Sequence, residues 1–162
     1  MGKLVMERRA ADNKYLHRDF HVSADAGLAY VGKYWGNEGV EAYLERFASS
    51  WYSPLIAEIR KKGISAVREH LEKIYSAEEA AEVLHINGTE NELKVNIDRC
   101  PAVSYMHSIG IEPSPWYNKL TSTVNRTIAA ESGLGFEMIS YESETGRAEY
   151  RFFVIPKTGK EE

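Results

Sequence analysis

His17, His21 and Asp25 stand four residues apart in a segment of helical periodicity, so their side chains project from adjacent turns of one face. Two imidazoles and a carboxylate in that arrangement can hold a divalent metal, although the glutamate spacing of a metalloprotease helix is missing. The plainer role for two helical histidines is to face solvent or bond a neighbouring backbone. Cys100 ends an alternating strand and precedes Pro101, where a helix can begin. A helix N-terminus favours the thiolate, so Cys100 is a candidate nucleophile and His107 the nearest base in sequence. Against this, a lone cysteine is ordinarily a small buried apolar residue. Trp116 and Tyr117 follow two prolines, and Tyr34 adjoins Trp35 and Gly36. Aromatic residues at such junctions can wall a small-molecule pocket, with core packing as the competing role for each.

The elements that must position these residues follow from periodicity and punctuation. Leu16, Phe20, Leu28 and Val31 predict a first helix between Ala11 and Tyr34, with a break at Trp35-Gly36-Asn37. Val40, Leu44, Phe47 and Trp51 predict a second, and Ser53-Pro54 opens a third that stops at Gly63. Ser65 is the expected cap of a fourth helix carrying Val67, Leu71 and Ile74, and Ser76-Ala77-Glu78-Glu79 has the form of a capping box, predicting a restart or kink. Period two then takes over. Residues 82–86 and 93–98 alternate around Asn87-Gly88 and predict a hairpin. A helix through Tyr105 to Ser108 stops at Gly110, a proline-rich loop leads to a helix from Trp116 to Ser132, and Phe136 to Tyr141 pairs with Ala148 to Ile155. The expected architecture is α+β: a helical N-terminal half packed on a four-stranded antiparallel sheet of two hairpins separated by helix. One domain is expected over 1–162, with flexible tails at 1–10 and 157–162.

Bulk properties narrow the function. The chain has 162 residues, is 43% hydrophobic and 27% charged, and carries a formal net charge of -4. No global positive field draws it to a phosphate backbone, so nucleic acid is not an expected partner. A single cysteine excludes an internal disulfide and a cysteine-rich zinc site, and fits a reducing compartment. The N-terminus lacks the apolar run of a secretory signal and no stretch approaches a membrane span, so a cytoplasmic location is expected. Asn87-Gly88-Thr89 and Asn125-Arg126-Thr127 then match glycosylation acceptors only formally.

The Cys100-Pro101 step, His17-Arg18-Asp19-Phe20-His21 and Val31-Gly32-Lys33-Tyr34-Trp35-Gly36 together resemble the L-2-amino-thiazoline-4-carboxylic acid hydrolase family. The order of elements is also similar to the vinyl-4-reductase and TRAPP-like small-ligand and adaptor domains. The first resemblance implies hydrolysis of a cyclic amidine carbon in a thiazoline carboxylate. In that scheme Cys100 attacks, or His17 and His21 activate water directly or through a divalent metal. His107 carries the proton, and Arg99 or Arg126 receives the substrate carboxylate. The family's further C-terminal cysteine has no counterpart here, so only the Cys-Pro position carries over. The second resemblance implies a noncatalytic ligand-binding or adaptor domain. Trp51 and Tyr52 exceed what one small core needs, which makes a homodimer an expectation.

Overall fold

The computed structural model describes residues 14–156, with side chains from Phe20 onward. The expected tails, the start of the first helix at 11–13 and the side chains of Leu16 and His17 lie outside the described residues. Helix α1 (Lys14–Trp51) is a single 38-residue element bent at Gly36, whose φ of 62° and ψ of -161° leave the helical region. The predicted break is therefore a kink inside one long helix, at a residue without the Cβ that opposes positive φ. Helices α2 (Ser53–Lys62) and α3 (Ile64–Ala77) meet at Gly63, which closes one and opens the next at φ 70°. Pro54 sits in the first turn of α2 as expected. Ser53 and Ser65, however, donate back to the carbonyls of Ser50 and Lys62 at 3.0 Å and cap nothing; at Ser65 the glycine already makes the reversal.

The capping box at Ser76 is a correction of another kind. Instead of starting a helix, these residues end α3. Ala80 N–H donates to the Tyr75 carbonyl (2.9 Å) and Glu79 N–H to that of Ser76 (3.1 Å), the bond pair of a Schellman stop, with Glu79 at φ 55°. Glycine normally fills that left-handed position, and a side chain there costs about 1–2 kcal/mol. Glu79→Gly is thus expected to raise stability by roughly 0.5–1 kcal/mol, once the extra chain entropy of glycine in the unfolded state is set against the relief. Urea unfolding of the two proteins measures it, and an unchanged or lower midpoint would show that the Glu79 side chain earns its place.

A 3-10 turn (Ala81–Val83) leads into β1 (Leu84–Gly88) and β2 (Glu92–Ile97), then α4 (Pro101–Ser108), α5 (Asn118–Ser132), β3 (Leu134–Tyr141) and β4 (Ala148–Val154). The strands form one antiparallel sheet in the order β1-β2-β4-β3, the two hairpins joining along β2 and β4. Alternation decides the faces. Leu93, Val95 and Ile97 of β2 oppose Phe152, Tyr150 and Ala148 of β4 in register, and all six are buried. Leu28, Val40 and Leu44 of α1, Ile56 and Ile59 of α2, Val67 of α3, and Val124 and Ile128 of α5 complete that core. On the opposite face Arg151 bridges Glu92 (2.7 Å) and Glu137 (2.6 Å), a polar, solvated surface. The helical N-terminal half therefore packs on a four-stranded antiparallel sheet, as the alternating segments predict. No helix among the described residues is long and apolar enough to cross a membrane.

Candidate functional site

The short helix α4 organises what chemistry the chain holds. Cys100 is its N-cap residue, with extended φ and ψ, and Pro101 fills the first position, where its missing N–H costs no bond. The Cys100 N–H donates to the Thr145 carbonyl in the β3–β4 turn at 2.8 Å, tying the start of α4 to the second hairpin. At the other end Gly110 N–H bonds the His107 carbonyl (3.0 Å) and Ile111 N–H that of Met106 (2.9 Å), so Gly110 at φ 76° stops the helix as its sequence predicts. Ala102, Val103 and Met106 are buried with Tyr117 in a satellite core that also takes in Val22 of α1 and Cys100.

Two hollows flank α4. The first, of about 240 Å³, lies between the early part of α1, the end of α3 and the α4 face presenting Ser104, Tyr105 and Ser108. His21 and Glu78 enter it from α1 and from the last residue before the Schellman stop. His21 Nε2 lies 3.2 Å from Glu78 Oε1, and the side chains are 28% and 12% exposed. A carboxylate at that distance accepts a hydrogen bond from an Nε2–H, the arrangement that orients an imidazole ring. The second hollow, of about 200 Å³, is lined by His107, Glu112, Tyr117, Asn118 and Tyr141 among others. His107 Nε2 there lies 3.3 Å from the exposed Glu112 carboxylate.

Cys100 serves neither hollow as a thiolate. Burial pushes its thiol up, the Val103 and Ala102 backbone N–H groups offset this in part, and the Glu78 charge raises it further. Desolvation outweighs the helix terminus because it acts on the whole thiolate charge, whereas the short α4 offers only partial charges. Tyr117 packs with Cys100, and Tyr75, Tyr141 and Tyr150 lie within electrostatic reach of it. Burial raises each of their hydroxyls and the neighbouring Cys100 raises each further. The result is a neutral thiol with neutral phenols nearby.

The remaining sequence candidates disperse. Asp25 is buried and accepts the Ser114 backbone N–H at 3.0 Å on both carboxylate oxygens, so it is turned to the loop before α5. His21 is bonded to Glu78, and the side chain of His17, the third residue of the expected ligand set, lies outside the described residues. Among the described residues no three His, Cys, Asp or Glu side chains converge as a metal site requires. Arg99 pairs with Glu82 at 3.2 Å on the surface. Arg126 reaches Glu41 and Glu45 of α1 at 3.9 and 3.8 Å. Neither guanidinium lines either hollow beside α4. Trp116 lies flat on Gly32, where a Cβ would come within 2.4 Å of the indole, and its Nε1 donates to Asn37 Oδ1 at 2.9 Å. It pins the loop before α5 to the kinked part of α1. Tyr34 is 59% exposed in a cluster with Tyr30 and Trp35, and only Tyr117 of the aromatic candidates borders a hollow. Glu78 and the Cys100 tyrosines carry no linear signal of their role, since 57 residues separate His21 from Glu78.

In class the protein is an α+β domain with a His–Glu pair in a cleft beside a half-buried cysteine. Compared with known proteins, the chain matches no family model and no curated protein.

Proposed function

We propose that the protein is a small-molecule hydrolase that opens a cyclic amidine-like carboxylate at the cleft between α1 and α4. The observation that carries this reading is the His21–Glu78 pair, since a carboxylate-oriented imidazole at a cleft wall is the usual apparatus for activating water. Water bound at His21 adds to the amidine carbon and its proton passes to the imidazole. The ring nitrogen, holding the electron pair of the former C=N bond, takes the hydroxyl proton as the tetrahedral adduct collapses to a carbonyl, and the expelled ring nitrogen or sulfur takes the other proton back from the imidazole. Ser104, Tyr105 and Ser108 supply the hydroxyls that can hold the substrate's polar edge. The substrate class rests on the resemblance of Cys100-Pro101 and the His17–His21 segment to thiazoline carboxylate hydrolases. Cys100, with its thiol raised by burial, is read as a packing and cap residue rather than the attacking group.

The test is incubation with 2-amino-thiazoline-4-carboxylate, following the gain of one water by mass spectrometry. His21→Ala is expected to lower turnover about a hundredfold, the scale of a positioned general base. Cys100→Ala is expected to keep it. Full activity in His21→Ala would remove the base from this reading. The same neutral, half-buried thiol, unfit as a nucleophile, favours a second reading, a noncatalytic ligand-binding or adaptor domain. Saturable binding in calorimetry with no water gained would decide for it.

A further inference from the structure

The second half of α1 turns a face outward that no other part of the described chain covers. Glu38, Ala42 and Arg46 follow at four-residue steps and all three are exposed. Beside them runs an aromatic row in which Tyr43 is 49% and Trp51 67% exposed. Phe47 and Trp51 stack with centroids 6.2 Å apart and planes 13° from parallel. An open groove of about 360 Å³ runs along this row and Arg46.

The charges on the face say what covers it. Glu41 and Glu45, on the neighbouring side of the same helix, are engaged by Lys119 and Arg126 of α5. Glu38 and Arg46 make no ion pair among the described residues. They are of opposite sign and sit one helical turn to either side of Ala42, a residue small enough to let a second backbone approach. A helix laid antiparallel across this one, with a two-fold axis at Ala42, would meet Glu38 with Arg46 and Arg46 with Glu38. Interdigitation of four-residue ridges is also the commonest way for helices to cross. Self-complementarity of this kind is what a two-fold contact between copies of one chain requires.

We propose that this face of α1 is the contact between two copies of the chain, packed antiparallel about a two-fold axis at Ala42. Sedimentation velocity over a concentration series tests it, with a species of about twice 18.4 kDa expected for the native sequence. Glu38→Arg and Arg46→Glu each place like charges together twice. Each is expected to weaken the dimer at least about tenfold, as close charged pairs across interfaces do. The double variant restores both attractions and is expected to return the dissociation constant to within about threefold of the native one. Both positions are exposed, and circular dichroism confirms that each variant is folded. A monomer at every concentration, a dimer indifferent to either single reversal, or a double variant no tighter than the singles would each overturn the proposal. A monomer would leave the face to a different protein.

Discussion

Gly146→Ala is expected to destabilise the protein by about 3–4 kcal/mol, combining the cost of a side chain at positive φ with that of overpacking. Gly146 has φ 67°, and a Cβ there would come within 2.3 Å of the Cys100 Cβ and 3.0 Å of Val103 Cγ2. Neither neighbour can swing away. Cys100 is held by its N–H bond to the Thr145 carbonyl, and Val103 is 1% exposed in the satellite core. The β3–β4 turn and the start of α4 therefore approach to a distance that only glycine permits. The same approach fixes Cys100 at the head of α4. Urea unfolding of Gly146→Ala, Cys100→Gly and the double variant separates the two costs. The closest part of the clash is removed when Cys100 loses its Cβ, so a favourable coupling of at least about 1 kcal/mol is expected, the backbone cost and the tight approach to Val103 remaining. Strict additivity would show that the turn relaxes away from α4, and that φ alone makes Gly146 necessary.

What the sequence showed of this arrangement, and what it hid, divides along physical range. Period-two alternation at Leu93, Val95 and Ile97 and at Tyr150 and Phe152 is a property of neighbouring residues, so strands, hairpins and sheet face were legible. Gly63, Gly110 and Gly133 marked helix ends because positive φ is a local demand. Local motifs misled where tertiary structure had already satisfied the backbone. Ser65 and the Ser76–Glu79 box had the right residues for caps, but Gly63 opens α3 and a Schellman stop closes it. The candidate site was hardest to read because its parts are remote. His21 pointed at helical neighbours in sequence, yet its partner is Glu78, and Asp25 in the same stripe is turned to Ser114 instead. At Cys100 the start of a helix was visible and its burial was not, and burial sets the sense of the thiol's shift.

His70, which no motif marked, should make the fold acid-labile. It packs edge-on against Tyr52, with ring centroids 5.7 Å apart and planes at 90°. Burial, with Lys73 adding to it, lowers its pKa from 6.5 to about 4. The imidazole is neutral in the fold, whereas the unfolded chain binds a proton there near the ordinary value. Stability from this residue is thus fully present above pH 6.5 and falls as the pH drops toward 4, below which both states are protonated. The loss over that window is expected to be about 3 kcal/mol, less whatever partial solvent access at the ring returns. Glu41, held below its ordinary 4.5 by the hydrogen bond from Lys119, is lost only at lower pH, so the upper part of the window belongs to His70. Unfolding free energies of the native chain and of His70→Gln, measured by urea titration across that range, should diverge. The native chain should lose stability between pH 6.5 and 4.5, while the variant should stay nearly level. Parallel profiles would mean that the ring near Tyr52 reaches water freely enough to take its proton without unfolding.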